Sequence, residues 1–413
     1  MNDTLQRVAR QYEAHPYPLP EPDLDDYLPG PGCKVVAASP WRFFHLYWPC
    51  QRYRQAVDIL VAGCGTSQAA KYALQQPQGR VVGIDVSRTS LDHTDDLVRR
   101  YRLDNLSLHE LPIERVGELD RDFDLIVCTG VLHHLADPDL GLRALRGVLR
   151  PGGAMYLMVY ATHGRSGVYM FADYCRLMGV GATDQELTDL RAVIERCDRQ
   201  HPLAIIGKHG GDFAYAAGMR DLFLHPCDRP FTVPQVYDWL GRCGMSMSRW
   251  YYQSPYLPQC SVLDGSAHLQ RLMSLPGEKQ HAAMELFRGT MHKHVFVACR
   301  NDRDRQSYAI DLESQAWRRF VPVRWTGIKA LHQDLPPGTV VRLQQMGHRF
   351  ADIVAQLDAP RAKLFDMIDG QRTIEQIMAQ SGLKGSRDDL DRYARGFFQA
   401  LWNFDLVMFA VSS

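Results

Sequence analysis

The chain opens its most regular stretch with an apolar run, Val57-Asp58-Ile59-Leu60-Val61-Ala62, that ends in the turn Gly63-Cys64-Gly65. A second run, Arg80-Val81-Val82-Gly83-Ile84, ends in Asp85. Phe123 to Thr129 reads as a fully buried strand that enters a turn at Gly130, and Ala154 to Tyr160 as the next strand. The segment between them, Asp139 to Leu149, has the spacing of a helix. Farther on, Thr232 caps an amphipathic helix over Val233 to Cys243, with Pro234 in its first turn. Met245 to Gln253 and His294 to Cys299 read as two more strands, with a helix-like run from Gln280 to Met291 between them.

Strand, glycine turn and a second strand ending in an acid form the layout of a nucleotide-binding βαβ unit. Gly63 and Gly65 let the backbone come close to a ligand. Asp85 follows about 20 residues on, where a carboxylate can accept from two ribose hydroxyls. A dinucleotide turn wants a third glycine under the pyrophosphate, and that position is Gln68. The pattern therefore leans away from NAD or FAD.

Five blocks occur in order: G-C-G-T, G-I-D-V-S, F-D-L-I-V, V-L-H-H-L-A-D-P and L-R-P-G-G. Together they span about residues 55 to 162 and closely resemble the class I S-adenosylmethionine-dependent methyltransferases. The resemblance implies an α/β fold, a doubly wound seven-stranded Rossmann-like sheet, with S-adenosylmethionine as cofactor. It implies that Gly63, Cys64, Gly65 and Thr66 face the methionine part through backbone groups. Asp85 would hold the ribose, with Val86 and Ser87 beside the adenine, while Gly130, Val131 and Leu132 line the methyl-transfer side. Two positions depart from the pattern. An acid common two residues before the first glycine is Val61, and the acid after the third strand is replaced near Leu111-Pro112-Ile113, where Glu110 or Glu114 could serve instead.

The chain divides on these readings into three parts. Residues 1–54 carry Tyr12-Glu13-Ala14-His15-Pro16-Tyr17-Pro18, a stiff segment that serves as a lid or as a strap packed on the sheet. Residues 55–304 form the methyltransferase domain, with insertions at about 164–231 and 254–290. Residues 305–413 change character. Arg318 to Trp325 and Thr339 to Leu343 read as short strands, followed by helices over Phe350 to Leu357, Pro360 to Ile368, Thr373 to Gln380 and Leu390 to Phe404. The run Leu364 to Ile377 has helical spacing on both sides of Asp369-Gly370, with Thr373 as cap. It resembles the small α+β winged-helix domains related to PqqD, which bind leader peptides. A generic winged helix or a dimerisation domain, giving a homodimer, fits as well.

Composition narrows the class of partner. The 413 residues carry 47 basic and 47 acidic side chains, so no net charge draws in long nucleic acid. Ten cysteines without C-x-x-C pairs signal neither zinc nor a disulfide framework and fit a reducing cytoplasmic setting. The start, Met-Asn-Asp-Thr-Leu-Gln-Arg, lacks a signal peptide's apolar core, and no apolar run reaches membrane-spanning length.

Methyl transfer needs an aligned nucleophile and often a base. His133 and His134 follow the fourth strand, where a base is wanted, or merely shape the turn. His163, Arg165 and Tyr169 follow the strand ending at Tyr160; His163 is a third catalytic candidate, and Tyr160, Arg165 and Tyr169 are candidate substrate ligands. Lys208 to Asp212 and Asp221 to Pro226 suit a pocket wall. Trp250-Tyr251-Tyr252 offers a cation cage or core packing. His292 and His294 share a strand face but lack a third ligand in sequence, so no metal is assigned. Three functions follow: methylation of a peptide or protein side chain, methylation of a small molecule in a biosynthetic pathway, or a non-catalytic partner that keeps the fold.

Overall fold

The computed structural model describes residues 3–181, 183–206, 211–263 and 265–411. They group into two compact units: Met1–Arg42, Gln55–Met247 and Glu285–Asp302 in one, and Phe43–Arg54, Ser248–Met284 and Arg303–Ser413 in the other.

The first unit is organised by a seven-stranded sheet. Its strands are β1 (Ile59–Ala62), β2 (Val81–Asp85), β3 (Leu106–Glu110), β4 (Phe123–Thr129), β5 (Leu149–Tyr160), β6 (Met245–Trp250) and β7 (Lys293–Arg300). The order is β3-β2-β1-β4-β5-β7-β6. Strands β1 to β5 pair in parallel, and β7 runs antiparallel to β5. Order reverses at β1, so the carboxyl ends of β1 and β4 flank the crevice where an open α/β sheet takes its ligand. Every residue of β1 is buried, as expected of a parallel strand covered on both faces. Gly83 lets the helix Gln68–Gln75 lie close: a Cβ there would sit 2.9 Å from that of Ala69.

Caps fix where the helices begin. Ser87 accepts from Ser90 N, Asp137 accepts from Leu140 N with Pro138 at the first position, and Thr232 forms a reciprocal box with Gln235. The strand expected over Met245 to Gln253 stops at Trp250. After β5 the insertion folds into helices Ser166–Leu177, Asp184–Glu195 and Ala216–Phe223 around Phe171, Leu187, Leu190 and Phe223.

The second unit has strands β8 (Phe320–Arg324), β9 (Ile328–Leu331), β10 (Val341–Gln345), β11 (Ala355–Leu357) and β12 (Val407–Val411). Strand β8 pairs with β12, while β9, β10 and β11 form a separate antiparallel sheet. The helix expected over Phe350 to Leu357 is instead a turn followed by β11. Ala355 and Leu357 point inward and Gln356 outward, a period of two that suits a strand. Helices Ala359–Asp366, Ile374–Gln380 and Arg387–Asn403 follow. They enclose Leu364, Ile377, Phe398 and Leu401 together with Phe409 of β12. Among the described residues no helix is long and apolar enough to cross a membrane.

One buried ion pair ties this unit together. Asp405, fully buried at a positive φ of 54°, accepts from Arg249 Nη2 at 2.9 Å, Ser254 N at 2.8 Å and Gln253 N at 3.1 Å. The Arg249 guanidinium lies 4.1 Å from the centre of the Trp402 ring. Removing the carboxylate strands a buried cation, a loss of about 3–5 kcal/mol. Asp405→Ala is expected to lower the unfolding free energy by that amount in urea titrations followed by tryptophan fluorescence. A change within about 0.5 kcal/mol, typical of exposed sites, would show that the pair carries no such burden.

Candidate functional site

The turn after β1 is built around Asp85. Gly63 and Gly65 hold φ of 68° and 55°, a region that favours glycine. A Cβ on Gly63 would lie 2.4 Å from Val131 Cγ2, so the turns after β1 and β4 touch through bare backbone. The amide groups of the turn point inward. Gly63 N and Cys64 N donate to Ile84 O at 2.9 and 3.0 Å, and Gly65 N donates to Asp85 Oδ2 at 2.8 Å. The other carboxylate oxygen accepts from Ser87 N at 3.0 Å. Burial raises the Asp85 pKa, with these hydrogen bonds opposing the shift. Pyrophosphate binding at such a turn relies on free N–H groups. Here three of them are engaged within the protein.

A cavity of about 450 Å³ opens beside this turn. That is the size of a small-molecule site. Gly63, Cys64, Gly65, Asp85, Val86, Gly130 and Val131 all line it. Thr66 and Ser87 do not line it. Thr66 Oγ1 instead donates to Pro18 O at 3.0 Å, and Ser87 caps its helix and donates to Glu13 Oε2 at 3.0 Å. Glu114 lines the cavity with Oε2 buried and without a hydrogen-bond partner; Glu110 does not line it. Gln68, in the position of the absent third glycine, lines it too and donates to Thr129 Oγ1 at 3.0 Å.

The N-terminal segment roofs the cavity. Leu5, Val8 and Tyr12 of the helix Asp3–Ala14 line it, as do Tyr17 and Pro18. A Cβ on Gly65 would meet Pro18 Cδ at 3.2 Å. Glu13 accepts from Thr89 Oγ1 at 2.8 Å, and Lys71 pairs with Glu21 at 2.7 Å, which pins the segment at both ends of its course.

One end of the cavity reaches a buried polar cluster. His134 and Tyr160 line the cavity, and the His133 ring lies 4.1 Å from that of His134 and 4.2 Å from that of Tyr160. His134 Nδ1 is 2.8 Å from Cys227 O. A carbonyl only accepts, so Nδ1 carries the proton and Nε2 is left with a lone pair. Nε2 is buried with no hydrogen-bond partner among the described residues. Burial holds His134 down at about 4, and it also lowers His133, so both rings are neutral at pH 7. His225, 3.8 Å from His134 between ring centres, is pushed by burial to about 3. Its Nδ1 accepts from Cys227 N at 3.1 Å, so its Nε2 carries a hydrogen.

Carboxylates back the rings. Asp221 accepts from Tyr12 Oη at 2.9 Å and Tyr160 Oη at 3.3 Å. Asp228 lies 3.9 Å from both His134 Nδ1 and Arg165 Nη2, and burial pushes its carboxyl up to about 7. The Arg165 guanidinium sits 3.6 Å over the Tyr160 ring and donates through Nε to Tyr169 Oη at 3.3 Å. Two trios, His133–His134–Asp228 and His134–Asp221–His225, bring potential metal-ligand atoms within 4.8 Å of one another. In the second trio the hydrogen on His225 Nε2 opposes coordination through that atom.

Other sequence candidates fall elsewhere. His163 lies half-buried in the turn before the helix Ser166–Leu177, its carbonyl accepting from Ser166 N. His294 is buried against Glu285 at 3.2 Å and Phe231 O at 3.1 Å. In the second unit Trp250 stacks on Tyr256 at 3.9 Å, while Tyr251 and Tyr252 pack around Trp325, so these aromatics form core contacts rather than a cage. Lys208, His209 and Gly210 lie outside the described residues. Asp228, absent from the sequence reading, had no signal beyond its place before Arg229-Pro230.

Residues 60–155 match the model of a methyltransferase domain family. An uncharacterized protein of Synechococcus sp. is 27% identical over 300 residues, 69% of this chain and 69% of that one. Trans-aconitate 2-methyltransferase of Deinococcus radiodurans is 34% identical over 131 residues, 32% of this chain and 47% of that protein. PKMT2 from Rickettsia typhi, solved in complex with AdoHcy, has a TM-score of 0.66 over 95% of this chain and 77% of its own, at 13% identity, a likeness of fold.

Two variants probe the turn. Asp85→Ala is expected to weaken S-adenosylmethionine binding at least tenfold, about 1.4 kcal/mol, in calorimetric titration. Unchanged affinity would mean that the carboxylate neither braces the turn for the ligand nor touches it. Gly63→Ala drives a methyl group into Val131 and is expected to cost about 1–3 kcal/mol of stability. Wild-type thermal unfolding in that variant would contradict the close contact.

Proposed function

We propose that this S-adenosylmethionine-dependent methyltransferase transfers its methyl group to a peptide or protein side chain, with His134 as the base. The observation that carries the chemistry is the unpartnered Nε2 of a neutral His134 on the cavity wall. The cavity fits the cofactor in size, in its glycine and carbonyl lining, and in the carboxylate of Asp85 at the end of β2. When bound, S-adenosylmethionine supplies an electrophilic methyl group on a sulfonium.

The protein's own groups do the rest. Gly63 and Gly65 admit the methionine part, Asp85 accepts from the ribose, and Val86 flanks the adenine. His134 Nε2 accepts a hydrogen bond from the acceptor, aims its lone pair and takes its proton. Cys227 O holds the ring in the tautomer that this requires. The Tyr12–Pro18 roof excludes water.

Support for a peptide acceptor comes from Leu364 to Ile377, which resembles the PqqD-related peptide-binding domains, and from the helical insertion beside the cavity. A second reading, a small acidic acceptor, is favoured by the buried Arg165, whose Nη2 has no hydrogen-bond partner among the described residues. Tritium from methyl-labelled S-adenosylmethionine separates the two. Label in acid-precipitated protein or in a purified peptide supports the first, and label only in small acids supports the second. His134→Gln is expected to slow turnover by about 10²–10⁴ with cofactor affinity unchanged. Full turnover in that variant would remove His134 from the chemistry.

A further inference from the structure

The hydroxyls around the acceptor end of the cavity all point the same way. Tyr12 and Tyr160 donate to Asp221 at 2.9 and 3.3 Å. Tyr17 and Tyr215 donate to Asp212 at 3.0 and 3.1 Å. Tyr12, Tyr17 and Tyr160 line the cavity. A phenol whose proton is committed to a carboxylate presents its oxygen lone pair and its ring face to a ligand, both electron-rich. Burial and these carboxylates raise the pKa of Tyr12, so its proton stays in place at neutral pH.

The charges nearby are mostly negative, and the cations among them are mostly paired. Asp85 and Glu114 line the cavity, and Asp212 and Asp221 stand behind the tyrosines. The lining cation, Lys71, is paired with Glu21 at 2.7 Å. Arg220 turns to Asp184 at 3.1 Å and His15 at 2.9 Å. Arg165 is the exception, lying over Tyr160, and Asp228 stands 3.9 Å from it. His134 adds a buried lone pair with no partner among the described residues. Such a lining favours a cation, both by charge and by the ring faces.

We propose that the acceptor is a primary amine on an alkyl chain, held by the Tyr12 and Tyr17 rings and His134. The inference deepens the methyl-transfer reading above and rests on it. The amine enters as ammonium and loses one proton to water before the site closes; His134 Nε2, kept neutral by burial, then accepts a hydrogen bond from the free amine and aims its lone pair. That lone pair forms the nitrogen–carbon bond as the carbon–sulfur bond breaks, with that bond's electron pair going to sulfur. The product is a secondary ammonium, and the proton shed on entry stays in solvent. Nothing beyond the methyl donor is consumed.

The test uses the full chain saturated with S-adenosylhomocysteine and three six-carbon probes: n-hexylamine, hexanol and sodium hexanoate. Calorimetry or tyrosine fluorescence reads their binding. Hexylamine is expected to bind at least about tenfold more tightly than either other probe, and Tyr12→Phe or Tyr17→Phe to erode that preference. Equal, absent or reversed preference overturns the inference. A parallel assay keeps the two readings apart by treating tritiated product with alkali. Alkali-labile label on protein retains the peptide reading and sinks the amine, whereas a hexylamine preference without label in any peptide sinks the peptide and keeps the amine.

Discussion

The two oxygens of Asp85 hold the site in shape. One accepts from Gly65 N and the other from Ser87 N, so a single side chain ties the turn after β1 to the turn after β2. Both bonds are charge-assisted and sit where burial works against the charge, which makes them costly to break and sensitive to anything that protonates the group. The glycines on one side and the cap of the helix Arg88–Tyr101 on the other are placed by that clamp. The amides a phosphate would need are turned back toward β2.

The acceptor end follows a different principle. It is assembled from polar groups that could not remain buried alone. His133, His134, His225, Asp221, Asp228 and Arg165 come from three separate segments and compensate one another only in part. Partly satisfied networks are expensive in a folded protein, and their retention at the mouth of a cavity fits groups that meet a ligand.

Much of the first half of this picture was legible in the sequence because it is local. The glycine turn, Asp85 and the strand after Asp122 are each defined by fewer than ten consecutive residues, and the helix start at Thr232 carries its own cap, whereas the caps at Ser87 and Asp137 emerge only in the structure. The acceptor end was legible only as loose candidates. Tyr12 meets Asp221 across 209 positions and His134 meets Cys227 across 93, separations that no short pattern encodes. In the second unit Phe350 to Leu357 reads as helix by composition but becomes β11, because β10 supplies an edge for it to pair with. Strand β12 carries no such local signal, since its partner β8 lies more than eighty residues earlier.

The roof over the cavity comes from the helix Asp3–Ala14 and the segment through Pro18, while its hydrogen-bond partners, Asp212 and Asp221, come from the insertion after β5. Were this roof to open for cofactor exchange, Tyr12 and Tyr17 would be released with it, and both are among the rings that line the cavity. Spent cofactor and product would then leave through one opening, and each closure would deliver a single methyl group.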